Sequence, residues 1–104
     1  MARFDVRANF HKGSRDAVPY LLDIQADLLA ELGTRLVVPL VPATAFGPPA
    51  ARLNPVFRIA GRNHVMDTAA MAAIPVRQLG ERVASLSDKA AEVLAAVDFL
   101  ISGI

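Results

Sequence analysis

The segment from Ser87 to Ile104 constrains the fold most, because it has the periodicity of an amphipathic α-helix. At about 100° of rotation per residue, its apolar side chains fall within an arc of about 120°. These residues are Ala90, Val93, Leu94, Val97, Leu100, Ile101 and Ile104. Ser87 is predicted to cap the first turn with its hydroxyl, and Gly103 is predicted to end the helix in a left-handed conformation. The stripe predicts a helix that packs on a core formed by the rest of the chain.

Phe99 lies off this apolar stripe, near Asp88, Glu92 and Ser102 on the helical wheel. A large aromatic ring is costly to leave in water. Phe99 is therefore either an exposed anchor that a partner covers, or a residue covered by a sheet or loop of the same domain. The helix alone does not separate these two interpretations.

The first two strands are predicted from alternating polar and apolar residues. Residues 3–10 place Phe4, Val6, Ala8 and Phe10 on one face, which is the two-residue period of a half-buried strand. Residues 20–27 alternate in the same way and predict an antiparallel partner for the first strand. A polar loop, residues 11–19, joins them.

The next segments are predicted from apolar runs and turn residues. Residues 27–33 have the composition of a short helical turn, in which the adjacent Leu28 and Leu29 cannot both face one core, so one of them is expected at the surface. Residues 35–41 predict a buried third strand, with Pro39 marking an edge or bulge because it has no N–H. Residues 42–55 contain four prolines and predict a long irregular excursion.

The remaining residues before the helix predict a hairpin and one more strand. The hairpin pairs residues 56–59 with 63–68 through a loop of three or four residues. Residues 69–73 predict a helical spacer, 74–79 a last short strand, and 80–86 a lead into the helix. Together these elements predict a single domain over residues 1–104. It is a mainly β fold of five to seven antiparallel strands curled into a barrel, with the C-terminal helix packed against it.

Composition narrows the function classes. The chain has 104 residues, 54% of them hydrophobic, and a mean hydropathy of +0.39, which favours further burial in a homodimer. A net charge of +1 disfavours direct binding to nucleic acid. No apolar run is long enough for a secretion signal or a membrane span, so we expect a cytoplasmic protein with no membrane partner.

The sequence predicts no catalytic residue, no metal site and no cofactor. The two histidines lack metal-ligand spacing, and the glycines form no phosphate-binding motif. His11, Ser14, Arg15 and Asp16 could in principle act as acid, nucleophile and phosphate clamp. A flexible loop rarely holds such groups to catalytic tolerance, so these residues are interpreted as a solvated loop. The residues alone predict a β-rich domain that binds a partner.

Three stretches of the sequence resemble the CcdB toxins of plasmid and chromosomal toxin–antitoxin modules. They are LDIQADLLAELGTRLVVPL at residues 22–40, AAMAAIPVRQLG at residues 69–80, and the final SGI with its preceding helix. The resemblance runs along the whole chain. It implies the SH3-like barrel that CcdB shares with the MazF ribonucleases, together with a C-terminal helix and a two-fold homodimer.

The resemblance also implies a function. CcdB proteins are not enzymes; they bind the DNA gyrase A subunit and trap gyrase in its covalent complex with cleaved DNA. A CcdA antitoxin neutralises them, and operator DNA is bound only through the toxin–antitoxin complex, which regulates transcription of its own operon. By resemblance, the positions that contact gyrase are Leu28, Leu29, Asp98, Ile101, Ser102, Gly103 and Ile104.

Ser102 departs from this family pattern, because the best-known gyrase poisons have a tryptophan there. Truncating a buried aromatic anchor costs about 2 kcal/mol, and a two-fold dimer loses it twice, so gyrase binding would weaken about a thousandfold. The first hypothesis is therefore a CcdB-like toxin whose gyrase poisoning is weakened, is compensated by Phe99 or Ile101, or is redirected to another target. The alternatives are a MazF-like endoribonuclease that uses residues 11–16 with Arg35, and a non-toxic regulator that only binds its antitoxin.

Overall fold

A computed structural model of the protein describes residues 2–103. Its strands are β1 (Asp5–Asn9), β2 (Tyr20–Asp23), β3 (Thr34–Pro42), β4 (Val56–Ile59), β5 (Arg62–Met66), β6 (Ala72–Pro75) and β7 (Leu79–Ser85), and its α-helices are α1 (Ala43–Phe46) and α2 (Ala90–Ser102). The strands form one antiparallel sheet in the order β4-β5-β3-β2-β1-β7, with β6 also paired to β3. The predicted mainly β fold with a C-terminal helix is confirmed.

One face of the sheet packs against α2 and forms the main core. Alternate residues of the first three strands are fully buried on this face and share one apolar cluster with the inner side of the helix. They are Val6, Leu22, Val38 and Leu40 on the strands and Val93 and Ala96 on α2. Burying each large apolar side chain stabilises the fold by about 1.5–3 kcal/mol, so the two-residue period of β1 to β3 fixes which face receives the helix.

The opposite face of the sheet contains a buried ion pair. Asp23 and Arg35 are 0% and 1% exposed. The Nε and Nη2 atoms of Arg35 donate to the two carboxylate oxygens of Asp23 at 2.8 and 3.0 Å. A bidentate pair of this kind opposes the two charges through directed hydrogen bonds, and Arg35 Nη1 has no hydrogen-bond partner within residues 2–103. It joins the end of β2 to the start of β3 on the same face as the smaller apolar cluster of Leu21, Val37 and Leu79.

Pro39 lies in the middle of β3, at the point where the strand changes partner. On one edge of β3, residues 34–37 pair with β6 and residues 40–42 pair with β5. Pro39 falls between these two pairings, where a missing N–H removes no ladder bond on that edge. The predicted edge or bulge at Pro39 is wrong, because β3 is a central strand and pairs with β2 in unbroken register through Pro39; the change of partner on the other side accommodates the proline.

Phe10 does not face the core as the alternation predicted. β1 ends at Asn9, and the Phe10 side chain is 58% exposed. Its ring lies over Gly80 on β7, because a Cβ built at Gly80 would come within 2.5 Å of the ring. The glycine therefore makes room for an aromatic ring at the edge of the sheet rather than in its interior.

The second half of the chain differs from its predicted boundaries. The β4–β5 turn has only two residues, Ala60 and Gly61, both with positive φ (51° and 80°), as a tight type I′ hairpin turn requires. Residues 74–79 are not one strand, because β6 ends at Pro75 and a 3₁₀ turn covers residues 76–78. The predicted lead into the helix is β7, which pairs with β1.

The predicted N-terminal cap of α2 is wrong, and its predicted C-terminal end is confirmed. Ser87 does not cap it: residues 87–89 form a separate 3₁₀ turn, Lys89 precedes the helix, and no side chain caps its N-terminus. Gly103 ends the helix as predicted, with φ 73° and ψ 17° and its N–H bonded to the carbonyl of Phe99. No helix within residues 2–103 has the length and hydrophobicity to cross a membrane.

Removing either member of the buried ion pair is expected to destabilise the fold. Asp23→Leu or Arg35→Leu should lower the free energy of unfolding by about 3–5 kcal/mol, because each leaves an unpaired buried charge. The double replacement should cost less than the sum of the two. Urea unfolding measures these values, with Asp16→Leu in the exposed loop as the control that should change stability by less than about 0.5 kcal/mol. Single replacements no worse than this control would contradict the role assigned to the pair.

Candidate functional site

The C-terminal end of α2 extends beyond the core. Val93 and Ala96 are buried in the first turns, but Leu100 is 39% and Ile101 74% exposed. The predicted apolar stripe is therefore wrong in its last turn, where these two side chains remain exposed. In the isolated chain, Ile101 is therefore a large apolar side chain that remains exposed to solvent and is available for contact with a partner.

The helix end is held in one conformation by two local hydrogen bonds. The Gly103 N–H donates to the Phe99 carbonyl at 2.9 Å, and the Ser102 hydroxyl donates to the Asp98 carbonyl at 2.7 Å. Asp98, Ile101, Ser102 and Gly103 are all exposed, so the structure brings these four predicted site residues together at one end of α2. We call them the helix-end patch. The predicted site residue Ile104 lies outside the described residues.

The two predicted leucines are on a different element. Leu28 and Leu29 belong to the 3₁₀ turn Asp27–Leu29 that follows β2, and they are 97% and 51% exposed. One leucine was expected at the surface, and both are there. Gln25 links this turn to β3, because its side chain donates to the Leu29 carbonyl at 2.9 Å and accepts from the Leu36 N–H at 3.0 Å. These leucines form a second exposed apolar patch.

Phe99 is not an exposed anchor. It is half-buried, and the guanidinium carbon of Arg52 lies 4.3 Å from the centroid of its ring. The interpretation that a loop of the same domain covers this ring is the one that the structure bears out. Sequence reasoning did not identify Arg52, because the contact joins residues far apart in the chain. Ile101 is left as the large apolar side chain of the helix-end patch.

The loop that carries Arg52 is more ordered than its prolines suggest. Asn54 is 8% exposed, accepts from the Ala50 N–H at 3.1 Å and donates to the Met66 carbonyl at 3.1 Å. This loop and α2 enclose a cleft of about 560 Å³. Its helix side is formed by Glu92, Ala95 and Asp98, so that one residue of the helix-end patch also lines the cleft.

The structure does not bring residues 11–16 and Arg35 together into one accessible site, as the ribonuclease alternative requires. His11 Nδ1 lies 3.2 Å from Ser14 Oγ, but Arg15 and Asp16 are exposed and form no ion pair within residues 2–103. Arg35 is buried against Asp23 and is not accessible to an RNA phosphate. Over the same residues, no cluster of metal-ligating side chains is present.

Comparisons with known proteins agree with this architecture. A family model described as "CcdB protein" matches residues 3–103. Among solved structures, the chain is similar to the Mycobacterium tuberculosis toxin MazF-mt6, with 13% sequence identity, a TM-score of 0.74, and coverage of 93% of this chain and 95% of that chain. At this identity the structural likeness shows the fold, which is the barrel shared by CcdB and MazF.

The contact between Arg52 and Phe99 is expected to hold the proline-rich loop against α2. Arg52→Ala should destabilise the chain by only about 0.5–1 kcal/mol, since the pair is at the surface, but should accelerate amide exchange in residues 47–53. Hydrogen–deuterium exchange measured by mass spectrometry tests this. Arg58→Ala, which removes an exposed arginine from β4, is the matched control. Unchanged exchange in the Arg52 variant would show that other contacts hold the loop.

Proposed function

The chain belongs to the CcdB family of toxins from toxin–antitoxin modules, and we propose that it binds the DNA gyrase A subunit and traps gyrase on cleaved DNA. It does so by binding and not by catalysis. The target is an essential enzyme of bacterial DNA topology, so the proposed site of action is the cytoplasm.

The observation that carries this proposal is the helix-end patch. Ile101 is 74% exposed on a helix whose C-terminus is fixed by the left-handed Gly103 and by the Ser102 hydroxyl. A preorganised apolar side chain loses little conformational freedom on binding, so more of its contact energy contributes to affinity. In a homodimer, the two-fold axis would repeat the patch and match it to the two-fold symmetry of gyrase.

Ser102 determines how strong this interaction is. Its hydroxyl is bonded to the Asp98 carbonyl and offers no aromatic surface to a partner. With the family tryptophan absent, the apolar contact of the tail rests on Ile101, and Leu28 and Leu29 supply a second contact. We propose that the chain is a gyrase poison of reduced affinity.

The antitoxin is proposed to be a CcdA-like protein that binds with an extended segment. The cleft between the proline-rich loop and α2 supports this, because it is large enough for an extended segment and has Glu92 and Asp98 on one wall. On the helix wall these carboxylates favour a basic side chain of the segment, whereas Arg52 on the loop wall favours an acidic one. Operator DNA is then bound through the toxin–antitoxin complex, which agrees with the net charge of +1 on this chain.

Gyrase supercoiling and cleavage-complex assays test the proposal. The natural chain is expected to trap cleaved DNA, and Ser102→Trp to do so at concentrations up to about a thousandfold lower, because it restores two aromatic anchors per dimer. Ile101→Asp should abolish trapping in both backgrounds, since it places a charge in an apolar contact. Val83→Asp, at a 40% exposed apolar position on β7, is the matched control and should retain activity.

Other outcomes would identify the alternatives. Trapping by the Ser102→Trp variant alone would indicate a non-toxic regulator that retains the docking surface. Absence of trapping in both proteins would refute gyrase as the target. RNA cleavage by the purified chain that is lost in His11→Ala would establish the MazF-like endoribonuclease instead.

A further inference from the structure

A second cleft lies on the face of the sheet that α2 does not cover. It has a volume of about 300 Å³. Its walls are apolar and come from β2, β3, β6 and the β1–β2 loop, whereas its remaining side chains are polar. The lining residues are Val18, Leu21, Pro39 and Ile74, with Asn9, His11, Ser14 and Gln78. An apolar cavity with a few convergent polar groups is the usual form of a small-molecule site.

The hydroxyl of Ser14 is oriented by a buried asparagine. Asn9 is 6% exposed, and its Nδ2 donates to Ser14 Oγ at 3.0 Å and to the Val18 carbonyl at 2.9 Å. Because Ser14 Oγ accepts a hydrogen bond from Asn9, its own proton is free to be donated elsewhere. The acceptor within reach is His11 Nδ1, at 3.2 Å, in the tautomer that keeps its proton on Nε2.

The position of His11 is built into the turn. Asn9 Oδ1 accepts from the His11 N–H at 3.0 Å, and the His11 carbonyl accepts from the Ser14 and Arg15 N–H groups at 3.1 and 2.9 Å. A Cβ at Gly13 would lie 3.0 Å from His11 Cε1. A side chain at position 13 would therefore crowd the imidazole, and glycine at this position lets the turn hold the ring beside Ser14.

We propose that Ser14 is a nucleophilic serine that accepts an acyl group from small activated esters. Ser14 Oγ attacks the ester carbonyl while His11 Nδ1 takes the hydroxyl proton. The bond from carbon to the leaving oxygen then breaks, and the leaving group departs as the alcohol with that proton. The products are an O-acyl serine and a free alcohol, and no oxidant, metal or further reactant is needed. The pairing of a nucleophile with an adjacent base is the arrangement that activates serine hydroxyls generally.

The cleft selects the chemical class of the acyl donor. Leu21, Pro39 and Ile74 form an apolar wall next to Ser14, so a short aliphatic acyl chain fits better than a charged one. Gln78 contributes an amide to the same cleft. An amide N–H can stabilise the negative charge that develops on the carbonyl oxygen. This site does not involve α2 and does not depend on the gyrase proposal.

Reaction of the purified chain with p-nitrophenyl butanoate tests the proposal. Intact-mass and peptide-mapping spectrometry should find one butanoyl group per chain, located on Ser14 and absent from Ser14→Ala. His11→Gln should slow acylation by at least about a hundredfold, the usual contribution of a general base, and added imidazole should restore part of the rate to His11→Ala. Ser87→Ala is the matched control, because Ser87 is an exposed serine whose hydroxyl accepts a hydrogen bond from the Ser85 hydroxyl, and this variant should acylate at the natural rate.

Two results would overturn the proposal. One is acylation confined to the amines of Lys12 and Lys89, the chain's two lysines. The other is a Ser14 rate no higher than the Ser87 rate. Thermal unfolding of each variant shows that it is folded, and His11→Gln retains a side chain that can hydrogen bond to Ser14, so a lost rate in a folded variant reports on the base.

Discussion

The fold depends on the buried ion pair between Asp23 and Arg35. It lies where β2 ends and β3 begins, so it fixes how the chain leaves one strand and enters the next. The same carboxylate accepts from the Gln25 N–H at 3.1 Å, and Gln25 in turn holds the turn that presents Leu28 and Leu29. Removing one partner of a buried charge pair leaves the other charge unpaired, so this pair constrains the chain to an arrangement that includes an exposed apolar patch.

Much of the fold could be predicted from local patterns. The alternation in β1, β2 and β3, the helical stripe of α2 and the glycine at its end are properties of neighbouring residues. β7 is not predicted from its sequence, because bulges interrupt its register with β1 on either side of Arg7. Residues 79–85 therefore lack a continuous alternation of polar and apolar side chains. Ser87 does not cap α2 because a 3₁₀ turn, residues 87–89, precedes the helix, and this turn has no distinct sequence pattern.

The candidate site was predictable in part, for a similar reason. The exposed residues at the end of α2 follow from their sequence positions and from the family resemblance. The coverage of Phe99 by Arg52 does not, since it depends on where a proline-rich loop folds back. The cleft beside Ser14 also requires the sheet to exist, because its walls come from segments that are distant in sequence. The pairing of His11 with Ser14 is local, and the sequence placed both residues in one loop without indicating that Asn9 would orient them.

Asp98 belongs both to the helix-end patch and to the wall of the larger cleft. A partner that engages Asp98 on one surface would therefore change the charge that the other surface presents. If an occupant of the cleft changes the affinity of the helix end for its target by some factor, the target must change the affinity of that occupant by the same factor. The relation requires no movement of the backbone. A partner bound to the Asp98 carboxylate in the cleft changes the charge that this carboxylate presents at the helix-end patch. Through this one side chain, binding of one partner could change the rate at which the other is released.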